Sequence, residues 1–525
     1  MRRAPIVLAL LLASFPLIGQ AAEITLWDVP SLVAAKDLSI DISTQSAAVA
    51  YNQYRSTLAQ GLPQINFTPG YKLQYTPQQE MSTYSFTPAP PFITVEDQTN
   101  NNQGTHNISA ALTVTQLLPT AGNLTLALNQ VTSAYTYSSQ QLVTALGTTT
   151  SYPAAQFSQQ PAITLKLDQP LFVNGKLIDF GLFPATFRQA QLGYLQADQQ
   201  KRSQMNQTLY QAAQLYLQIV QLRKNVAQVE KSIAVAQGNL ETLKKNFALG
   251  SVAEADLLDS RIGVANQKGA LLDMRATLSR TERALSHSLG LASLQSVSLK
   301  EDIPTIDFQM TRDQEMAKAM GNHPLIQKMN LDTEARRIND VLAGQSYASD
   351  LSLSFTYAPR YPFSNSTSAY MSDFNHSFSD LYGSGSGTDW SLSANLTVHL
   401  FDGGKQQADR AANAAAIKLA QDNVLSQRQS VQDGVDIDLM QKANLEEKIS
   451  VLVDAVELAR MRAQTEASLL SLGKSTDLEV QGKRADFDAK QNDLWRARAD
   501  LFLTVIDLNA LAGEDLAHII QGKAQ

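Results

Sequence analysis

The chain consists of segments with two different hydrophobic periodicities. In four segments apolar and polar residues alternate one by one, which predicts β-strands with one apolar and one polar face. These strands are expected at about 62–76, 160–172, 350–358 and 390–401. Elsewhere apolar residues recur at steps of three and four, which predicts amphipathic helices that pack as coiled coils. The helices are expected at about 186–249, 253–289, 406–472 and 476–511.

The same features occur twice at a constant spacing. Gly250 and Gly473 each follow a long helical pattern, and 473 − 250 = 223 residues separate them. A heptad of apolar residues follows each glycine and ends at Gly290 and Gly513, which are also 223 residues apart. We therefore predict an internal two-fold repeat, in which each half has a first helix, strands, a long helix and a shorter helix. The expected bounds are 22–320 for the first half, 321–513 for the second and 514–525 for a C-terminal tail.

The first half contains an additional alternating pattern. Within about 107–137, two alternating runs flank a turn at Pro119-Thr120-Ala121-Gly122, which predicts a β-hairpin. The pattern leaves open whether this hairpin adds strands to the sheet of the other four or lies beyond it. Long polar connections at about 78–103, 138–160 and 360–388 are typical of surface loops.

The N-terminus predicts export. Arg2 and Arg3 precede an apolar run from Ile6 to Ile18, and small residues end at Ala21, so residues 1–21 are expected to be a signal peptide. No later stretch of about 18 residues is continuously apolar, so a membrane could be crossed only by strands closed into a barrel. Four strands cannot close around a lumen, whereas three identical chains supply twelve. The expected fold is therefore an α+β membrane protein in which several copies of the chain close one barrel.

Composition excludes several other functions. The chain has no cysteine, so it has no disulfides and no thiolate metal sites. Its formal charge is −7, and it becomes −9 once the two arginines of the signal are removed, which disfavours nucleic-acid binding. The histidines, which include His106, His287, His323 and His399, form no metal-binding pattern. We expect no catalytic site, cofactor or metal, and no nucleotide-binding loop is present.

Three motifs give the sequence a family resemblance. They are Phe401-Asp402-Gly403-Gly404-Lys405 between a strand and a helix, the two Leu-Gly turns, and Asn322-His323-Pro324-Leu325. With these motifs, nearly the whole mature chain resembles the outer-membrane efflux protein family of TolC-like channels. The resemblance implies a homotrimer in outer-membrane lipid, with a twelve-stranded barrel on a periplasmic tunnel of α-helices. It also implies a passive exit duct of a tripartite efflux or type I secretion system. The implied partners are a periplasmic adaptor and an inner-membrane pump of the RND, ABC or MFS class.

The helix turns are the candidate functional site. In a trimer, acidic residues after each turn would form rings that close the tunnel and select ions. The alternative is that acidic side chains merely favour a helix N-terminus. The gate candidates are Glu254, Asp256, Asp259, Asp477 and Glu479. The candidates for adaptor docking are Leu249, Gly250, Ser251, Leu472, Gly473 and Lys474, and those for the strand-to-helix junction are Gly175, Gly403 and Gly404. Lys166 and Asp168 are expected to be ordinary charges inside the barrel.

Two other classes of protein share some of these features. A periplasmic adaptor also has a helical hairpin, but only one, flanked by small soluble β-domains. A trimeric surface protein with a coiled-coil stalk would have its strands at one end of the chain. Strands in both halves of the sequence favour the channel over both alternatives.

Overall fold

A computed structural model gives the fold of the protein. It describes residues 23–76, 79–86, 93–100, 103–137, 140–143, 149–151, 155–173, 176–177, 182–291, 294, 297–304, 308, 310–345, 350–360, 364–366, 387–398 and 401–521. The expected signal peptide and the junction residue Gly175 lie outside these described residues.

The chain divides into two compact units. The first unit contains residues 1–48, 195–331 and 420–525. The second unit contains residues 49–194 and 332–419. Each unit is therefore built from both halves of the sequence, and each is described separately below.

Helices account for most of the described chain, as the spacing of apolar residues predicted. In chain order they are α1 (Val29–Lys36), α2 (Leu38–Gln60), α3 (Leu182–Ala248), α4 (Glu254–Ser288), α5 (Arg312–Asn322), α6 (Pro324–Gln345), α7 (Lys405–Ser471), α8 (Asp477–Leu511) and α9 (Leu516–Ile520). Helices α3 and α7 have 67 residues each, and α4 and α8 have 35 each. At a rise of 1.5 Å per residue, each 67-residue helix is about 100 Å long. Within the described chain, no helix combines the length and apolarity needed to cross a membrane.

The second unit contains two antiparallel sheets. Their strands are β2 (Gln64–Thr76), β3 (Gln79–Phe86), β4 (Ile93–Asn100), β5 (Gln103–Leu117), β6 (Asn123–Tyr137), β7 (Gln140–Val143), β8 (Thr149–Ser151), β9 (Ala155–Val173), β10 (Lys176–Leu177), β12 (Asp350–Arg360), β13 (Ser364–Ser366) and β14 (Gly387–Thr397). Two short strands of the first unit, β1 (Glu23–Ile24) and β11 (Ser298–Leu299), pair in parallel.

The larger sheet has the order β14-β12-β9-β6-β5-β2, with β10 and β13 also paired to β9. The expected extra hairpin is β5 and β6, and it lies inside this sheet, between β2 and β9. The expectation of about four strands per chain therefore becomes six principal strands. The added strands follow from the alternation of the hairpin, which continues the faces of its neighbours.

Two of the predicted surface loops were wrong in part. Strands β3, β4, β7 and β8 occupy much of the polar connections at 78–103 and 138–160, and they form the second sheet in the order β3-β4-β7-β8. These segments are polar, but they are rich in Thr, which favours extended backbone. Polarity alone therefore did not distinguish a loop from a strand.

The first unit has a core made from distant segments. Tyr216 of α3 is only 1% exposed, and it packs among Leu26, Val29, Leu285 and Ile506. Its hydroxyl lies 2.9 Å from the carbonyl oxygen of Ile24 and 2.8 Å from that of Lys300, so its proton is shared between strand β1 and the residue after β11. A buried tyrosine needs such acceptors, since an unpaired hydroxyl is costly.

The Asn322-His323-Pro324 motif forms the corner between α5 and α6. His323 ends α5, and Pro324 begins α6 at the position where a missing N–H costs least. Gly513, which follows α8 with φ +75°, lies against this corner. A Cβ at Gly513 would be 2.4 Å from the carbonyl oxygen of Asn322, so only glycine fits both the backbone angle and the space.

Two half-buried carboxyl groups meet between α7 and α8. Asp438 and Asp507 lie beside each other, and Tyr210 of α3 lies close to both. Burial, followed by the neighbouring Asp507, raises the pKa of Asp438 to about 7, and burial also raises the pKa of Asp507. The folded protein therefore holds a proton at this pair that the unfolded chain releases near pH 4.

This pair predicts a pH-dependent stability. Because the folded pKa is raised, the stabilising contribution is complete below about pH 4 and is lost as the pH rises through about 7. Asp438→Asn should flatten the pH dependence of the thermal midpoint between these values, because an amide carries no titrating proton. Thermal unfolding followed by circular dichroism across this range measures the effect. An equally steep dependence in the variant would contradict the assignment, and Asp454→Asn on the same helix is the control.

Candidate functional site at the two helix turns

The turns after α3 and α7 have the same backbone geometry. In the first turn, Gly250 has φ +72°, and its N–H donates to the carbonyl of Phe247 at 2.9 Å. The N–H of Ser251 then donates to the carbonyl of Asn246 at 3.0 Å. This wide hydrogen bond across a left-handed residue is the Schellman ending of a helix, and glycine adopts that angle without a steric cost.

The second turn repeats this arrangement. Gly473 has φ +70° and donates to the carbonyl of Leu470 at 2.9 Å. Lys474 donates to the carbonyl of Leu469 at 2.9 Å. A new helix begins four residues after each glycine, at Glu254 and Asp477. Both turns thus reverse the chain within a few residues and connect a long helix to a shorter one.

A large apolar side chain is exposed at each turn. Leu249 is 81% exposed and Leu472 is 68% exposed. Because each leucine directly precedes the left-handed glycine, the turn holds it outside the helix packing. The two exposed leucines occupy equivalent positions, since 472 − 249 = 223.

The acidic residues of the first turn make no local bonds. Glu254, Asp256 and Asp259 are exposed, and their side chains form no hydrogen bond or ion pair with any other described residue. The residue at the N-cap of α4 is Ala253, which has no side-chain oxygen to accept from the helix. The three carboxylates are therefore available for interactions outside the chain.

The acidic residues of the second turn have structural roles. Thr476 caps α8, and its hydroxyl accepts from the N–H of Glu479 at 3.3 Å. The Glu479 carboxylate accepts in return from the N–H of Thr476 at 2.8 Å, which completes a capping box. Hydrogen bonds from the backbone and then the side chain of Thr476 lower the pKa of Glu479. Asp477 accepts from Gln481 Nε2 at 2.7 Å. The Thr476-x-x-Glu479 signature is present in the sequence, but the sequence analysis missed it.

The strand-to-helix junction lies in the second unit. Gly403 and Gly404 both have positive φ, +67° and +87°. The Asp402 carboxylate accepts from the N–H of Gly404 at 2.9 Å and from that of Gln406 at 2.7 Å. Asp402 therefore caps α7 while the two glycines redirect the chain, which explains the Asp-Gly-Gly-Lys motif physically. The first-half counterpart, Gly175, is not among the described residues.

Lys166 and Asp168 form a local pair on β9. Their Nζ and Oδ2 atoms are 2.9 Å apart, and Ser354 of β12 donates to the second oxygen of Asp168 at 2.6 Å. Both side chains lie on the polar face of the sheet. Their mutual neutralisation favours the interpretation as ordinary polar-face charges.

An open cleft of about 920 Å³ in the first unit was not anticipated. Its lining combines the aromatic side chains Phe308 and Trp495 with the cations Lys442 and Arg498. Trp495 is fixed by its indole N–H, which donates to the carbonyl of Glu301 at 2.8 Å. The residues come from three separate segments, so no local motif could reveal the cleft. Within the described chain, no three His, Asp or Glu residues form a metal-binding group.

One protein family matches part of the chain. Residues 316–514 match the family described as outer membrane efflux protein. The match spans the Asn322-His323-Pro324 corner, the Asp402 junction and the second turn. No protein of curated function matches the sequence.

Solved structures share the fold over nearly the whole chain. A membrane protein from Pseudomonas aeruginosa is 14% identical with a TM-score of 0.58, and the match covers 96% of this chain and 92% of that one. The outer membrane protein VceC from Vibrio cholerae is 14% identical with a TM-score of 0.56, covering 94% and 96%. The Campylobacter jejuni CmeC outer membrane channel is 11% identical with a TM-score of 0.59, covering 95% and 89%.

These comparisons confirm the resemblance that the sequence motifs suggested. Residues 316–514 therefore resemble outer membrane efflux proteins, and nearly the whole chain shares the fold of the outer-membrane channels named above. Both comparisons favour an outer-membrane location, with helices that extend into the periplasm.

The capping box predicts a local stability difference between the turns. Thr476→Ala removes the cap acceptor and should cost about 1 kcal/mol, so amides in the first turn of α8 should exchange about fivefold faster. Glu479→Gln should leave exchange nearly unchanged, since glutamine also fits the box. Hydrogen exchange with mass spectrometry measures both. Thr465→Ala, within α7, is the control. Unchanged exchange in the Thr476 variant would contradict the capping role.

Proposed function

We propose that three copies of this chain form a passive exit duct for cargo delivered by an inner-membrane pump through a periplasmic adaptor. In this proposal the larger sheet forms the barrel wall and the paired helices form the periplasmic tunnel. Tripartite efflux and type I secretion use the same arrangement, and the neighbouring transporter would decide between them.

The edges of the larger sheet carry this proposal. Strands β2 and β14 are its two ends, and neither has a second partner among the described strands. Both edges expose large apolar side chains, including Phe67 at 66% and Trp390 at 68%. An unpaired strand edge is not tolerated in hydrocarbon, and exposed aromatic side chains are costly in water. Pairing with identical chains in a bilayer resolves both problems.

The helices support the tunnel. Helices α3 and α7 have equal length and begin 405 − 182 = 223 residues apart, and α4 and α8 share the same spacing because 477 − 254 = 223. Helices of equal length at equal spacing in the two halves of the chain favour an internal repeat. A trimer would then contain six similar helix pairs. Such pairs could line a tube of nearly uniform width.

The turns support docking and gating. The exposed leucines Leu249 and Leu472 suit a partner with an apolar tip, such as another helical hairpin. The unpaired carboxylates of Glu254, Asp256 and Asp259 would form rings of like charge in a trimer and attract cations. Glu479 and Asp477 are weaker gate candidates, because their carboxylates already hold the start of α8.

A charge placed on either face of one strand tests the barrel. Leu392 lies on the apolar face of β14, and its neighbour Ser391 lies on the polar face. Leu392→Arg should cost about 2–4 kcal/mol if the side chain faces the bilayer centre, and should reduce the heat-modifiable oligomer in outer membranes. The matched control Ser391→Arg should assemble normally. Membrane fractionation and gels of unheated samples provide the measurement. Equal assembly of both variants, or a water-soluble monomer in the unaltered chain, would overturn the proposal.

The gate is tested by ion selectivity. Asp256→Ala should raise single-channel conductance in planar bilayers and weaken cation preference, because a ring of three carboxylates is lost. Glu479→Gln removes a charge while it keeps the capping box, so it separates charge from helix stability. If the Asp256 variant conducts and selects ions as the unaltered channel does, this ring is not part of the gate.

A further inference from the structure

The hairpin of β5 and β6 is fully integrated in the larger sheet. Strand β5 pairs with β2 from Gln64↔Thr115 to Thr76↔Gln103 without a register shift. Strand β6 pairs with β9 from Asn123↔Asp168 to Thr136↔Ala155, again without a shift. A hairpin that lay beyond the sheet would leave β2 and β9 paired to each other. Here β2 and β9 are instead separated by two complete strands.

The hairpin also continues both faces of the sheet. Residues opposite each other in antiparallel strands share a face, so rows can be followed across the sheet. One row is apolar in all six strands: Ile65, Val114, Leu126, Leu165, Tyr357 and Trp390. The adjacent row is polar in all six: Gln64, Thr115, Thr125, Lys166, Thr356 and Ser391. The hairpin therefore has the same inside and outside as the four strands around it.

The strand directions permit closure. The sheet is antiparallel throughout, so its first and last strands, β2 and β14, run in opposite directions. Identical chains around an axis would then join β14 of one copy to β2 of the next as another antiparallel pair. The hairpin adds two strands, which preserves this relation, whereas one added strand would force a parallel joint.

We propose that the hairpin of residues Gln103–Tyr137 is part of the transmembrane wall, so that three chains build an eighteen-stranded barrel. The count is three times the six strands of the larger sheet. The inference rests on the trimeric channel proposed above. Because barrel diameter grows roughly linearly with strand number, eighteen strands give a barrel about 1.5 times as wide as twelve. The outer part of this duct would therefore admit bulkier cargo than a twelve-stranded wall of the same tilt.

Lipid contact of the hairpin tests the proposal in the full chain. The chain has no cysteine, so a single introduced cysteine carries an environment-sensitive fluorophore without background. A label at Leu126→Cys should be quenched by doxyl lipids, and one at the adjacent Thr125→Cys should be quenched by aqueous iodide instead. Leu392→Cys and Ser391→Cys on β14 are the matched control pair.

The control pair separates the two proposals. If Leu392 and Leu126 both lack lipid quenching, the channel itself is wrong. If Leu392 is quenched by lipid and Leu126 is not, the barrel stands but the hairpin lies outside its wall, and the eighteen-stranded inference fails.

Barrel width gives a second, independent test. Tyr75 and Ala155 lie in the same row of the sheet, so replacing residues 77–153 with an Asn-Gly turn would join β2 directly to β9 with both faces kept. Spin labels at Ser391→Cys should then be about one third closer between copies, as measured by pulsed electron resonance. Replacing only residues 77–102 with Asn-Gly removes β3 and β4, keeps the hairpin and should leave the distance unchanged. An unchanged distance after the larger replacement would overturn the proposal.

Discussion

A strand edge in hydrocarbon must be paired, and the proposed channel depends on this constraint. The larger sheet of one chain ends in β2 and β14, whose outer hydrogen-bonding groups have no partner among the described strands. Water could satisfy those groups, but the apolar row from Ile65 to Trp390 gives the sheet one face that water disfavours. In the proposed channel, other copies of the chain supply the missing pairs. The number of strands per chain would then fix the width of the barrel.

A different constraint governs the helical part of the chain. A 67-residue helix cannot bury its apolar stripe by itself, so it needs other helices packed along its length. In the first unit these partners are brought together around Tyr216, with α1, α4, α8 and α9 contributing to one core. Gly513 lets its backbone pack directly against the carbonyl group of Asn322, because a Cβ at this position would clash with that oxygen. The carboxyl pair of Asp438 and Asp507 shows that this packing also encloses groups whose protonation depends on the fold.

The two helix turns show how similar backbones can carry different chemistry. Both turns end their first helix with the same hydrogen bonds around a left-handed glycine. The second turn then uses Thr476 and Glu479 to cap the next helix, whereas Ala253 leaves the first without a side-chain cap. The carboxylate of Asp256 thus has no partner among the described residues. The carboxylate of the equivalent Glu479 accepts a hydrogen bond from the backbone N–H of Thr476. Equivalence in sequence position therefore did not mean equivalence of role.

Local pattern determined which residues form helices and strands, which strand face is apolar and where the long helices end, because these properties depend on neighbours only a few residues away. The turn glycines Gly250 and Gly473 and the Asp402 junction could be predicted from the sequence for the same reason. The tertiary structure alone decided that the hairpin of β5 and β6 separates β2 from β9, that Tyr216 joins Ile24 to Lys300, and that Asp438 meets Asp507. Each of these contacts joins distant segments, and a period of two or of 3.6 residues says which face a side chain occupies but not which strand or helix lies against it.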